Sequence, residues 1–273
     1  MGMRVMAERW DSSRSVTQAS QFIDYMLKKQ GIVLASVPNL CVISYNDGLI
    51  DRAKSAAAYQ SIKLGLTTRT ELLILESNEM PAIGLIRGQH GASMSAVMLE
   101  ELIALGFSHF LTVGAAGHPR FALPPRAGIG ELILPTVALI HEGTSRHYGQ
   151  VAGTVSVDAV GIDLLKRVLL GLEVSYQEGL VATTDGFYRE TPTFLQDMEQ
   201  QGVMAVDMEL SSLLTVGAYY GKGVVSILYV SDIIEGLTGR WHVGLTDEYL
   251  ETLTVNLFSI VSAYARALQI AGE

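Results

Sequence analysis

The stretch from Gly202 to Asp232, GVMAVDMELSSLLTVGAYYGKGVVSILYVSD, decides the fold class. Val206, Leu210, Leu213, Leu214 and Gly217 recur at helical spacing, which predicts a buried helix with Glu209 near its start. Gly221 and Gly223 flank Lys222 where that helix should stop. Val224 to Val230 is then a short run of β-branched and aliphatic residues, the pattern of a strand buried on both faces. Asp232 falls where that strand is expected to end. Ligands of open α/β sheets bind outside the carboxyl ends of the strands, so Asp232 and Glu209 are the first candidates for chemistry.

Composition narrows the setting. The 273 residues fit one large α/β domain, and 49% hydrophobic content with 27 glycines supplies a sizeable core and many tight turns. No apolar run is expected to be long enough to span a membrane. The start, MGMRVMAERWDSSRS, lacks the hydrophobic centre of a signal peptide. A single cysteine, Cys41, rules out an internal disulfide framework and fits a reducing cytoplasm. A formal net charge of −9 argues against nucleic acid or an anionic membrane as partner. Any bound anion must then be held by individual arginines or by backbone N–H groups.

Working outward, residues 13–30 read as an amphipathic helix ending at Gly31, with Val16, Phe22, Ile23, Met26 and Leu27 on one face. Leu40 to Ser44 is a first strand, followed by a turn from Tyr45 to Lys54 that opens a helix. Leu72 to Leu75 and Ala82 to Ile86 are further strands. Arg87-Gly88-Gln89-His90-Gly91 is a glycine-containing turn into a helix, a shape that lets backbone N–H groups approach an anion. That helix carries Met94, Val97, Met98, Leu102 and Leu105 on its apolar side and Glu100 and Glu101 on its outer side. Phe110 to Val113 is a strand leading into Gly114-Ala115-Ala116-Gly117. Gly130 to Ile140 is another, followed by His141 to Tyr148. His141 and His147 are six residues apart with no third ligand nearby, so no metal is expected. A helix over 159–171, a strand from Gly179 to Thr184 and a short helix from Phe194 to Gln201 complete the middle. Ile233 to Thr246 reads as a lid loop, and the chain closes with a long helix from Asp247 to about Leu268. The dinucleotide fingerprint and the P-loop are both absent. The expected architecture is a mixed central sheet flanked by helices over residues 36–273, with residues 1–35 as a helical extension packed on it.

Val206-Asp207-Met208-Glu209 followed by Val230-Ser231-Asp232 resembles the signature of the nucleoside phosphorylase/nucleosidase superfamily, which includes purine nucleoside and uridine phosphorylases. The Thr183-Thr184-Asp185-Gly186-Phe187-Tyr188 segment and the Glu142-Gly143-Thr144-Ser145 loop add to the likeness. The resemblance implies a ribose site at Met208 and Glu209, a base site at Thr184 and Phe187, and a catalytic acid at Asp232. It implies a phosphate site too, for which Arg52, Gly114 and Arg87 are the candidates. Arg69 resembles the arginine that family members lend to a neighbouring subunit. Thr112 and Ala115 stand where many phosphorylases have an arginine and a hydroxyl residue, and no histidine precedes His90 to match the family's N-terminal one.

What the resemblance implies is cleavage of an N-glycosidic bond with inorganic phosphate as co-substrate, no organic cofactor, and a homo-oligomer built from dimers. Chemically this asks for held sugar hydroxyls, an acid for the departing base and donors for an anionic nucleophile. Two alternatives stay open: a nucleosidase using water, and a non-catalytic nucleoside-binding protein.

Overall fold

In a computed structural model, the chain is described over residues 13, 15–34, 36–64, 70–78, 80–122 and 126–272. Helix α1 (Ala19–Gln30) ends at Gly31, whose φ of 65° is the left-handed cap that glycine provides without strain. β1 (Leu40–Ser44) runs into α2 (Asp47–Ala56), where Asn46 caps the helix by accepting from Leu49 N–H. Next come β2 (Ala58–Leu64), β3 (Thr70–Glu76) and β4 (Ile83–Arg87), then α3 (Ala92–Leu105) and β5 (His109–Arg120). The second half holds β6 (Leu132–His141), β7 (Thr154–Ser156), α4 (Ala159–Gly171), β8 (Gln177–Thr184), α5 (Pro192–Gln200) and β9 (Val203–Asp207). It finishes with α6 (Leu210–Tyr219), β10 (Gly223–Glu235), β11 (Arg240–Val243) and α7 (Asp247–Gly272).

All the described strands join one mixed sheet in the order β11-β10-β6-β8-β9-β5-β1-β4-β3-β2, with β7 added to β6 and a further pairing of β10 with β5. That extra pairing closes β5, β10, β6, β8 and β9 into a ring, so half of the sheet is a small barrel and the rest a wing. β1 shows why both faces are covered. Cys41 and Ile43 enter one apolar cluster with Leu99, Leu102 and Leu213, while Leu40 and Val42 enter a second with Leu49, Leu257 and Tyr264. Alternate side chains of a strand point to opposite faces, and here each face has its own helices. Ile23 and Met26 of α1 are buried, Ile23 in the first cluster.

Several sequence expectations change in this frame. Val206 lies on β9 and not on the following helix, because a five-residue buried run without a turn signal cannot be separated from a helix start by periodicity. Asp232 does not end its strand: β10 continues to Glu235, with a one-residue bulge between Val230 and Asp232. The predicted lid is mostly a hairpin, since β11 pairs with the end of β10 from Asp232↔Val243 to Glu235↔Arg240. Gly114 to Gly117 lies within β5 instead of following it. Glu101 is buried where an outer position was expected, and burial pushes its carboxyl up to about 7. β2 had no predicted counterpart. Finally, α7 is long and apolar enough to cross a membrane by length and composition, contrary to expectation. It instead buries Leu253, Leu257, Ile260, Val261 and Tyr264 in the second cluster.

The close packing of β4 against the Phe107 ring gives a first test. A Cβ at Gly84 would lie 2.6 Å from ring carbons of Phe107, which is fully buried and cannot swing aside. Gly84→Ala should therefore lower stability by about 1–3 kcal/mol through overpacking, read as a fall in the thermal midpoint with the circular-dichroism spectrum unchanged.

Candidate functional site

The site lies at one rim of the barrel, and strand register places its members. Gly117 of β5 has Asp232 of β10 opposite it on one side and Val206 of β9 on the other. Asp207, one residue beyond Val206, pairs with Thr183 of β8, and Thr184 pairs with His141 of β6. The rim therefore gathers Asp232, Asp207, Thr183 and Thr184 around one glycine.

Asp207 begins the entry to α6. Its carboxylate accepts from Leu210 N–H at 2.7 Å, from Glu209 N–H at 3.3 Å and from the Thr183 hydroxyl at 2.6 Å. The Thr183 oxygen accepts in turn from Ser211 N–H. Asp207 thus satisfies the helix's orphan donors, a task the residue at the N-cap itself usually performs. Glu209, which occupies that N-cap position, makes no capping bond within its own helix. Its carboxylate reaches across to α3, accepting from Gly91 N–H at 2.7 Å, and takes a longer bond from Met208 N–H at 3.3 Å. Gly91 sits at φ 88°, a conformation that suits glycine and turns its N–H toward Glu209. Ser212 ties the two helices by donating to Ala92 C=O at 3.1 Å.

Glu209 is consequently a buried carboxylate between two helix N-termini. Burial pushes its pKa up, and the neighbouring Asp207 charge pushes it further, while the two backbone donors pull it down. Burial raises Asp207 too, against the bonds it accepts. His90 stands beside the pair, with Nδ1 4.0 Å from Glu209 and its ring largely exposed. Met208 is half-buried next to Glu209.

Asp232 is buried at the other side of Gly117. Its carboxylate accepts from the Ser231 hydroxyl at 2.6 Å and from the Trp241 indole N–H at 2.7 Å. The β10–β11 hairpin positions that indole. Trp241 in turn meets Phe187 edge-on, with ring centroids 6.0 Å apart. Phe187 is partly exposed in the short helical turn Phe187–Arg189, and the Thr184 hydroxyl steadies the approach by accepting from Gly186 N–H at 3.2 Å. A second carboxyl joins this end. Glu190 is pushed up to about 7, first by burial and then by the charge on Asp232.

The structure thus brings Met208, Glu209, Thr184, Phe187 and Asp232 to one rim. The three residues assigned to phosphate are placed differently. Arg52 lies on the exposed side of α2 with its guanidinium 5.6 Å over the Phe258 ring of α7. Arg87 is exposed and ion-paired to Asp47 at 2.5 Å. Gly114 lies within β5, just past the level where β1 ends, but the space beside it is filled by the Tyr45 ring. Arg69 falls outside the described residues. The Glu142 loop also turns inward on itself: Glu142 accepts from Thr144 N–H, Ser145 N–H and the Ser211 hydroxyl, so it fastens the loop to α6. Sequence reading missed the Trp241 contact with Asp232, the Tyr45 placement and Glu190. Only Trp241 left a trace, as part of the polar-aromatic run Arg240-Trp241-His242-Val243. Among the described residues, no group of three or more His, Cys, Asp or Glu side chains is arranged to hold a metal ion.

A family model described as the phosphorylase superfamily matches residues 31–266. A uridine phosphorylase of Thermococcus kodakarensis is 32% identical over 144 residues, 48% of this chain and 50% of that protein. A DeoD-type purine nucleoside phosphorylase of Bacillus cereus is 31% identical over 150 residues, 53% of this chain and 60% of that protein. The chain thus spans about half to three-fifths of the length of these curated relatives. Among solved structures, the purine nucleoside phosphorylase of Toxoplasma gondii in complex with immucillin-H superposes with a TM-score of 0.73 at 18% identity. That match covers 86% of this chain and 93% of the other, and at such identity it shows the shared fold.

The raised carboxyls predict how stability varies with pH. Glu209 rises on folding from the ordinary value of 4.5 to about 8, so between those values the native state holds a proton that the unfolded chain has lost. Its contribution is complete below about pH 4.5 and drains away as pH climbs toward 8, by at most about 1.4 kcal/mol per pH unit for one proton. Thermal midpoints should fall across that interval, and Glu209→Gln should flatten the decline. An unchanged slope in the variant would show that Glu209 is ionised in the native protein throughout.

Proposed function

Because the chain belongs to the phosphorylase superfamily, we propose that it is a pentosyl-transferring enzyme that cleaves the N-glycosidic bond of a nucleoside and releases the free base. The observation that carries this reading is a pair of buried carboxyls, Asp232 opposite Gly117 on β10 and Glu209 at the start of the helix that follows β9, the strand paired with Gly117 on its other side. Glu209 is held by backbone donors at a helix junction and has capacity left to accept from sugar hydroxyls, with Met208 against the sugar face. Asp232 lies at the base end, where Phe187 and Trp241 offer aromatic surface for the ring.

The roles follow from charge. As the C1′–N bond lengthens, positive charge grows on the sugar and negative charge on the base. An acid at the base end relieves the second, and a fixed carboxyl near the ribose holds the sugar while the first develops. Asp232 is the proposed acid. Burial and then the charge on Asp232 push the Glu190 carboxyl up to about 7, so a second acid stands at this end. This acidic end suits a purine, whose N7 accepts a proton, better than uracil, which has carbonyl oxygens and an N3–H but no acceptor ring nitrogen. Asp232 must release the Trp241 indole to reach a base, so the hairpin is expected to shift on binding.

Two acceptors fit this chemistry. Inorganic phosphate is supported by the names of the relatives; water is supported by the filled space beside Gly114. We place the enzyme in the cytoplasm, as a homo-oligomer, on its single cysteine and its family.

The test is a panel of purine and pyrimidine nucleosides incubated with and without phosphate, with base release followed by chromatography. Purine release is expected to exceed pyrimidine release. Asp232→Asn should lower turnover by about a hundredfold, and Glu209→Gln by about tenfold or more. Release at the wild-type rate in either variant would remove that residue from the mechanism. Ligand-induced thermal stabilisation with no base release would favour the non-catalytic reading.

A further inference from the structure

β1 and β4 end beside the middle of β5, and two glycines there, Gly88 after β4 and Gly114 within β5, would ordinarily leave room for an anion against the backbone. In this chain that room holds a side chain. A Cβ on Gly88 would lie 2.4 Å from the Tyr45 ring, and one on Gly114 would lie 3.2 Å from it. The glycines are therefore what allows the ring to pack against the backbone at both positions. Tyr45 is fixed there at both extremities. Its N–H donates to Val113 C=O at 2.8 Å. Its hydroxyl meets Ser95 Oγ at 2.8 Å; since Ser95 donates its own proton to Gln89 C=O at 2.5 Å, Tyr45 is the donor of that pair. The ring also lies 5.8 Å from the ring of His90, beside Glu209.

Several donors around it are committed as well. Gly88 N–H donates to Ser44 C=O at 2.8 Å. The buried Thr112 hydroxyl donates to Ser226 Oγ at 2.7 Å. Arg87 is paired with Asp47, and Arg52 is stacked on α7. A phosphate dianion needs several donors and a volume comparable to the ring that occupies this space.

We infer that Tyr45 selects the pentosyl acceptor: its ring fills the space that an anionic nucleophile would need, and the acceptor is water. This rests on the N-glycosidic cleavage proposed above. The step balances without a further reactant. The water oxygen bonds to C1′, the C1′–N bond breaks with its electron pair going to the base, one proton leaves the water and one joins the base. The products are a free pentose and a free base. Burial and the Glu209 charge hold the Tyr45 hydroxyl well above its usual range, so it stays a neutral donor to Ser95.

Two measurements on the full chain test this. In the first, base release from a cleaved nucleoside is followed from zero to millimolar phosphate and the sugar product identified. A rate indifferent to phosphate, with free pentose formed, is expected. A rate that climbs with phosphate and yields a pentose 1-phosphate overturns the inference. The second does not need turnover: inorganic phosphate is titrated into wild type, Tyr45→Gly, Tyr45→Ala and Tyr45→Phe by calorimetry. Tyr45→Gly or Tyr45→Ala, whichever folds, should bind phosphate at least about tenfold more tightly than wild type, and Tyr45→Phe, which keeps the ring, should match wild type. Equal phosphate affinity in wild type and the truncated variant overturns the role of Tyr45. If no nucleoside is cleaved under any condition, the proposed function fails, and the titration still decides whether Tyr45 fills an anion site.

Discussion

Barrel closure through β10 is the constraint on which the site depends. β10 runs parallel to β5 from Gly223↔His109 to Glu235↔Arg120, and it also pairs antiparallel with β6 and with β11. The β5–β9 pairing at Gly117↔Val206 completes the ring. Gly117 must be small because Asp232 Oδ2 would lie only 3.1 Å from a Cβ there, as would Ile234. The bulge before Asp232 shifts the register by one residue, which brings the carboxylate over that glycine while β10 continues into the hairpin. Trp241 then comes back along β11 to meet the same carboxylate.

Around the start of α6, two acidic residues have divided the work. Asp207 takes the helix's exposed N–H groups, so Glu209 does not have to. This leaves a carboxylate at a helix N-terminus whose strongest bond goes to another helix, Gly91 of α3. The favourable field of two helix N-termini acts on Glu209, yet burial dominates and favours its protonated form. A carboxyl in that balance is sensitive to any ligand that changes local hydration, because removing water raises its pKa and adding hydroxyl donors lowers it.

Much of this was legible in the sequence, and the reasons for the rest are local. β1 and α4 show at their full length because their ends carry turn or cap residues: Asn46 after β1, Asp158 before α4. Glu209 and Asp232 stood out because each adjoins a strongly apolar run. β9 was hidden because five buried residues beside a helix carry no period of their own. β2 was hidden because its burial pattern is mostly exposed, as suits an edge strand. The lid was mistaken for a loop because its glycines mark the ends of a hairpin as well as they mark a loop. Tyr45 could not be placed at all. Its role depends on Gly88 and Gly114, which only the sheet brings to its two sides.

The long reach of β10 has a consequence for how the protein is made. His109 of β5 finds its partner Gly223 only after the intervening chain, with four strands and three α-helices among its described residues, has been synthesised. Until then the edge of β5 that will meet β10 is open, and such unpaired edges are where nascent chains stick to one another. The wing formed by β1 to β4 can assemble early, because its strands pair with close neighbours in the chain. The rim, by contrast, comes into being in the last stage of folding, when Asp232 docks over Gly117 and α7 covers the second cluster. Chain order alone thus sets the wing's partners beside one another early and leaves the rim's partners to meet across a long separation.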